Sequence, residues 1–137
     1  ATSGTTMENA TGGAKSKSTG STVTEKLAKA SDVIKDRYEI LKAFMVALGD
    51  DVQEKTLKHY IAFKRLKNFA AVEIHPQNAN IIVFVKSDFK SVRLEEGFTR
   101  DVRNIGHFGT GDLEITISSD DDFERAKHLI VKSYEEN

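Results

Sequence analysis

The end of the sequence constrains the fold most strongly, because a strand pattern there runs directly into a helix pattern. Leu113, Ile115 and Ile117 alternate with polar residues, which is typical of a strand with one buried face. Ser119 can then cap a helix whose acidic first turn favours the positive end of the helix dipole. Apolar residues follow at helical spacing, at Phe123, Ala126, Ile130 and Tyr134. The pattern predicts a strand packed beneath a C-terminal helix.

A second helix pattern lies in the N-terminal half of the chain. One apolar stripe contains Ile34, Tyr38, Leu41, Met45 and Leu48. Gly49 follows the stripe, at a place where a helix often ends. Thr22 and Glu25 have the spacing of a capping box, so helical structure can begin earlier than the stripe.

Strand patterns fill the region between the two helices. They are Thr56–Arg65, Phe69–Ile74, Asn80–Lys86 and Phe98–Arg103, with Ser91–Glu95 as a further short candidate. The run at 81–85 is apolar on both faces, which indicates a central strand. We therefore predict an α+β fold: a single antiparallel sheet of about five strands with an N-terminal and a C-terminal helix packed on it. The expected core contains Tyr38, Leu41, Met45, Val83, Val85, Leu113, Ile115, Phe123, Ile130 and Tyr134.

The sequence also predicts how the 137 residues are divided. Residues 1–22 are almost entirely small and polar, and such a segment cannot bury enough apolar surface to offset the entropy lost on ordering. This segment is either a cloning remnant and flexible tail or a linker that tethers the chain to another domain. Residues 23–137 are expected to form a single α+β domain.

Composition narrows the class of protein. The formal net charge is −1, which argues against a protein that coats nucleic acid through bulk charge. Cysteine is absent, so disulfides and thiolate metal sites are excluded, and a cytoplasmic location is expected. No apolar run approaches the roughly 20 residues that a membrane span needs, and the N-terminus lacks a signal-peptide pattern.

The sequence contains no recognisable pattern of catalytic or metal-binding residues. His59, His75, His107 and His128 do not stand at ligand spacing, so no metal site is expected. The glycine-rich segment Gly106–Gly111 precedes a strand, whereas a phosphate-binding loop follows a strand and opens a helix. We interpret it as a hairpin connection that requires positive φ. The sequence predicts no catalytic residue and no cofactor.

One stretch is basic without a compensating acid. It runs from Lys55 to Lys67, and its candidate partner-binding residues are Lys58, Tyr60, Lys64, Arg65 and Lys67. On one predicted strand face, lysines flank an aromatic ring, which is an arrangement that can stack bases while the cations meet phosphates. Side chains of the neighbouring strands are expected to join this face, namely Phe69, Ile82 and Phe84. The alternatives are a solvated face and a face covered by a protein partner.

Several short motifs resemble a known bacterial family. They are Tyr60–Lys64 (YIAFK), Asn68–Ala70 (NFA), Gly106–Glu114 (GHFGTGDLE) and the pattern LIxKSY at Leu129–Tyr134. Over about residues 33–136 the chain resembles the C-terminal domain family of unknown function labelled "predicted transport protein". The last strand and helix are also similar to the YjbR-like double-wing proteins, a group suspected of binding DNA. The resemblance implies a cytoplasmic C-terminal module, some members of which stand beside nuclease-like or restriction-like domains, and it implies no catalytic residues.

These observations favour a non-enzymatic binding or accessory module of a cytoplasmic bacterial protein. Its partner is expected to be a protein or a nucleic acid, with no membrane contact. A nucleic-acid-binding domain associated with restriction or nuclease-type proteins is the first alternative. An enzyme with an unrecognised site is the second.

Overall fold

A computed structural model describes residues 21–89, 92–106 and 111–137 of the chain. Three helices are present in these ranges: α1 (Val23–Lys29), α2 (Asp32–Val46) and α3 (Asp120–Glu135). The strands are β1 (Gln53–Thr56), β2 (Ile61–Lys64), β3 (Asn68–His75), β4 (Asn80–Val85), β5 (Thr99–Asp101) and β6 (Leu113–Ile117), and a short 3₁₀ helix (Pro76–Asn78) joins β3 to β4. The predicted α+β class is confirmed, with six strands in the single antiparallel sheet. Residues 1–20, which include most of the predicted tail, lie outside the described part of the chain.

Side-chain caps explain where α1 and α3 begin. The Thr22 hydroxyl accepts a hydrogen bond from the Glu25 amide at 3.1 Å, and the Glu25 carboxylate accepts one from the Thr22 amide at 2.8 Å. This pair is the capping box that the sequence predicted. Ser119 caps α3 as predicted, because its hydroxyl accepts from the Asp122 amide at 3.1 Å.

The sheet has the order β1-β2-β3-β4-β6-β5, and all neighbouring strands are antiparallel. β4 lies between β3 and β6, so the predicted central strand is confirmed. The predicted hairpin connection before β6 is described only at its ends, since residues 107–110 lie outside the described ranges. At its C-terminal end Gly111 has a φ of 144°. A Cβ atom there would come within 2.8 Å of Phe84 Cβ, so this position requires glycine.

The three helices pack on one face of the sheet and form the main core with it. Nine of the ten expected core residues are buried. The tenth, Tyr134, is half-buried: its ring packs edge-to-face against Phe69 with the centroids 5.3 Å apart, while its hydroxyl extends to Asp51. A smaller cluster of Ala71, Ile82, Phe84 and Val102 lies on the opposite face, which we call the second sheet face.

The predicted strand Thr56–Arg65 is wrong in its first half. β1 ends at Thr56, and residues 57–60 form a turn in which the Leu57 amide donates to the Tyr60 carbonyl at 2.9 Å. The polar and apolar residues of this turn continue the alternation of β2, and no glycine or proline marks the break. The alternating pattern therefore predicted one continuous strand where the structure has the end of β1, a turn and β2.

The short strand predicted at Ser91–Glu95 is also wrong. Residues 92–95 have no strand structure, and Ser91 lies outside the described ranges. The Glu95 carbonyl instead accepts from the amides of Phe98 and Thr99 at 2.9 and 2.8 Å, which closes a turn before β5. This turn shortens the predicted strand Phe98–Arg103 to Thr99–Asp101.

None of the helices in the described ranges is both long enough and apolar enough to cross a membrane.

Candidate partner-binding surface

Lys64, one of the predicted residues, lies close to Lys55 on the second sheet face. Lys55 on β1 pairs with Ala62 on β2, and Gln53 pairs with Lys64. Lys55 and Lys64 are therefore diagonal neighbours, at a separation of about 7–8 Å between their backbone positions. Tyr60 lies beside them, half-buried against the cluster of the second sheet face. The strands thus bring two cations and an aromatic ring together.

Lys58 and Lys67 flank this group at opposite ends of β2. Lys58 stands in the β1–β2 turn, and its carbonyl accepts from the Val23 amide at 2.8 Å, which fastens the turn to the start of α1. Lys67 stands in the β2–β3 turn, where its carbonyl accepts from the Arg65 amide at 3.0 Å. Both side chains are exposed. The four residues of β2 separate the turns by about 13 Å, so Lys58 and Lys67 lie at opposite ends of the hairpin.

We call Lys55, Lys58, Tyr60, Lys64 and Lys67 the basic hairpin surface. None of its four lysines has an ion pair with another described residue. The acids around it are already engaged. Glu54 is within 3.2 Å of Lys42 and accepts from the Tyr38 hydroxyl at 2.7 Å, while Glu73 contacts His75 at 3.0 Å. The positive charge of the surface is therefore not neutralised locally.

Arg65 does not belong to this surface, although the sequence grouped it with the lysines. Its Nε donates to Asp51 at 3.0 Å, one terminal nitrogen donates to the Tyr134 carbonyl at 3.0 Å, and the guanidinium lies 4.3 Å from the centre of the Tyr134 ring. The hydrogen bond from Arg65 lowers the pKa of the Asp51 carboxyl, and Asp51 in turn raises the pKa of Arg65. Arg65 thus ties β2 to the end of α3, and its role in partner binding stays a prediction.

Three neighbouring side chains were expected to join the basic face. Phe69 does not lie on it, and Ile82 and Phe84 lie on it but are buried. Between β2 and β3 the register shifts, so that Phe63 pairs with Ala70 but Lys64 pairs with Asn68. Phe69 is the extra residue of this bulge and turns toward the helices. Ile82 and Phe84 do lie on the second sheet face, but they are only 9% and 2% exposed. Tyr60 alone of these predicted contact residues is partly accessible.

Acidic residues also occur on the second sheet face, on β3 next to the hairpin and on β6 further along the sheet. Glu73 lies on β3 beside Tyr60, and Glu114 on β6 pairs with Arg100 at 3.0 Å. These carboxylates limit the path that a polyanion could take across the sheet. The face is basic at its β1–β2 edge and mixed in charge toward β6.

No group of three or more His, Asp or Glu side chains that could hold a metal ion occurs within residues 21–89, 92–106 and 111–137.

The sequence reasoning missed the placement of Lys55 on the same face as Lys64. The pairing of Lys55 with β2 depends on the turn at 57–60, and the alternating sequence pattern gave no sign of this turn. It also passed over Lys26 and Lys29, although the capping box at Thr22 fixes the start of α1 and thereby places both lysines on neighbouring turns of one helix.

The architecture is that of an α+β domain with all its helices on one face of a six-stranded antiparallel sheet. The chain belongs to the family described as a domain of unknown function (DUF5655), whose model matches residues 23–137. It is 34% identical over 107 residues to an uncharacterized protein of Haemophilus influenzae. The match covers 78% of this chain and 35% of the relative, so the chain spans about a third of that protein's length. No solved structure matches the chain.

Proposed function

We propose that the domain is a non-enzymatic binding module of a cytoplasmic bacterial protein and that it contacts an acidic protein partner through the basic hairpin surface. The observation that carries the proposal is the set of four lysines around Tyr60 that form no ion pair with a described residue, among acids that are already engaged. An uncompensated positive patch attracts a negatively charged surface and steers its approach.

The shape of the surface favours an extended contact. The lysines follow β2 from one turn to the other, and Tyr60 supplies apolar area between them. Tyrosine contributes rigid contact area at low entropic cost and is enriched in protein interfaces. The helices lie on the other face of the sheet, so a partner can approach the hairpin without displacing them.

The family context agrees with a module. The matched region makes up 35% of the Haemophilus influenzae relative, so in that protein the domain stands in a longer chain. The resemblance to the "predicted transport protein" family and to YjbR-like proteins remains a prediction, and it adds the expectation of a C-terminal position. We set aside the transport label as a guide to activity.

Amide chemical-shift mapping with a short poly-glutamate peptide tests where an acidic partner contacts the domain. At about 0.15 M salt, where weak long-range attraction is screened, we expect saturable shifts at residues 55–67. Shifts spread over every lysine of the molecule, or no saturable shifts, would contradict the proposal.

Nucleic-acid binding is the second candidate, and the placement of Tyr60 among lysines favours it. The acids Glu73 and Glu114 and the burial of Phe84 weigh against a long single-stranded path over the sheet. Titration with labelled single-stranded and duplex DNA separates the two candidates. If a base stacks on Tyr60, then Tyr60→Ala should weaken single-stranded DNA binding by about 1–3 kcal/mol. Tighter binding to DNA than to the acidic peptide would favour this candidate.

A further inference from the structure

A polar cleft opens at the end of the sheet where α1 meets the β3–β4 connection. Its volume is about 460 Å³, and its lining includes Lys26 and Lys29 from α1 together with His75, Gln77 and Asn78. This volume lies within the range of about 300–1,000 Å³ that is typical of small-molecule sites. None of the described residues that line the cleft is acidic.

Two carboxylates near the cleft are already engaged and offset its cationic groups only in part. The Thr22 amide is the main cause of the lowered pKa of the Glu25 carboxyl, and the charge of Lys29 contributes to it. The Glu25 carboxylate is held in the capping box of Thr22, with its oxygen 2.8 Å from the Thr22 amide. The Glu73 carboxylate contacts His75 Nε2 at 3.0 Å. Lys26 and Lys29 form no ion pair with any residue that the structure describes. Two ammonium groups thus belong to a recess whose described lining contains no carboxylate.

The frame around the cleft is fixed by backbone contacts. The Val23 amide donates to the Lys58 carbonyl at 2.8 Å, which holds the start of α1 against the β1–β2 turn. On the other side, Ala79 adopts a left-handed conformation with a φ of 56° and donates to the Pro76 carbonyl at 3.2 Å. These contacts fix the positions of α1 and of the β3–β4 connection, which contribute Lys26, Lys29, Gln77 and Asn78 to the lining of the cleft.

We propose that this cleft binds a phosphoryl group. Lys26 and Lys29 provide the charge that a phosphate dianion needs, and the side-chain amides of Gln77 and Asn78 provide neutral N–H donors. The volume leaves room for more than an isolated phosphate, so the natural ligand is a small phosphorylated compound or the terminal phosphate of a nucleic acid. No residue of the basic hairpin surface lines the cleft, and this inference is independent of the proposed protein partner.

Titration of the domain with pyrophosphate, followed by amide chemical shifts at constant ionic strength, tests the proposal. We expect saturable shifts at residues 26–29 and 75–78. The double variant Lys26→Ala/Lys29→Ala should weaken pyrophosphate binding at least about tenfold, because two charge-assisted contacts are lost. Lys26→Arg/Lys29→Arg should retain binding. Lys35→Ala, which changes a half-buried lysine of α2 outside the cleft, should leave the affinity within about twofold.

Two further arms identify the source of the phosphoryl group. Preference for a 5′-phosphorylated oligonucleotide over the same oligonucleotide with a 5′-hydroxyl indicates a nucleic-acid end, and equal weak binding of both, with tight pyrophosphate binding, indicates a small ligand. The proposal is overturned if pyrophosphate causes no saturable shifts, or if the double alanine variant binds it as tightly as the wild type. If the domain fails to bind poly-glutamate but binds pyrophosphate, the proposed partner surface is contradicted and the proposed phosphoryl site is not.

Discussion

Ser133 shows how a single hydroxyl joins the layers of this domain. It is fully buried on α3, and its Oγ donates to the Phe69 carbonyl at 2.6 Å and accepts from the Lys86 amide at 3.2 Å. One side chain therefore satisfies a carbonyl at the β2–β3 bulge and an amide just after β4. A buried backbone group that loses its only partner costs far more free energy than an average hydrogen bond contributes.

We expect Ser133→Ala to lower the free energy of unfolding by about 1–3 kcal/mol, because one buried and one partly buried backbone group lose their side-chain partner. Chemical denaturation monitored by circular dichroism measures the change. Ser118→Ala is the matched control, since Ser118 is exposed and its hydroxyl forms no hydrogen bond with another described residue. The control should stay within about 0.5 kcal/mol of the wild type. A loss at Ser133 no larger than that of the control would show that the bridge does not stabilise the fold.

The sequence predicted the residues of regular apolar stripes well but not residues with paired polar roles. Tyr38 and Leu41 were expected in the core from their spacing and are 2% and 0% exposed. Ser133 looks like an ordinary polar helix residue, because its partners lie 64 and 47 residues away in the chain. Arg65 was taken for a partner-binding cation for the same reason, since its contact with the Tyr134 carbonyl spans 69 residues.

The N-terminus of α3 is held by a reciprocal cap. The Asp122 carboxylate accepts from the Ser118 amide at 2.9 Å and from Arg125 at 2.8 Å, and the Asp122 amide donates to Ser119. Burial alone would raise the pKa of the Asp122 carboxyl, but the Ser118 amide, Arg125 and Ser119 together hold it below its usual range. The carboxylate form is therefore the one that the fold stabilises.

Because its folded-state pKa is lowered, Asp122 should stabilise the domain above the pKa of the unfolded state. That contribution should disappear as the pH falls below about 4 and through the folded-state value. We expect Asp122→Asn to be less stable than the wild type at pH 7 and to approach it at low pH. Thermal melts across this range measure the difference. Asp36→Asn, an exposed change on α2, should show no such convergence. A constant difference at all pH values would contradict the assignment.

The register of β6 fixes how it pairs with β4 on one side and β5 on the other. Ile115 is fully buried and pairs with Val83 on one side and Thr99 on the other. We expect Ile115→Ala to cost about 2–5 kcal/mol of unfolding free energy, since it leaves a cavity in the core. Thr116→Ala, on the second sheet face of the same strand, serves as the control in the same denaturant melts. A loss below about 1 kcal/mol at Ile115 would contradict the register.

At the level of secondary-structure elements, the spacing of apolar residues predicted a helix or strand well where a recognisable cap or turn residue marked its end. The caps at Thr22 and Ser119 and the alternation of β6 gave helices and a strand close to those observed. The turn at 57–60 has no such signal, so β1 and its register were missed. The bulge between β2 and β3 then reversed the direction of Phe69, because one extra residue changes which face the side chain occupies.

At the level of the whole molecule, the helices occupy one sheet face and leave the β1–β2 edge as a place where charge is uncompensated. The overall net charge of −1 hides this asymmetry. Its origin is the pairing of nearby acids within the fold, such as Glu54 with Lys42 and Glu73 with His75, while the hairpin lysines form no ion pair in the described part of the chain. Sequence counting located the basic stretch, but only the tertiary contacts separate Arg65 from the free lysines.

The most direct measurement of the central claim is the affinity of the domain for a labelled poly-glutamate peptide at about 0.15 M salt, with two double charge reversals compared. Lys55→Glu/Lys64→Glu reverses neighbours on the basic hairpin surface, and Lys35→Glu/Lys132→Glu makes the same net change on the helical layer. We predict that the first variant loses at least about tenfold in affinity, roughly 1.4 kcal/mol, and that the second stays within about threefold of the wild type. Equal losses in the two variants, or no micromolar binding by the wild type, would contradict the account.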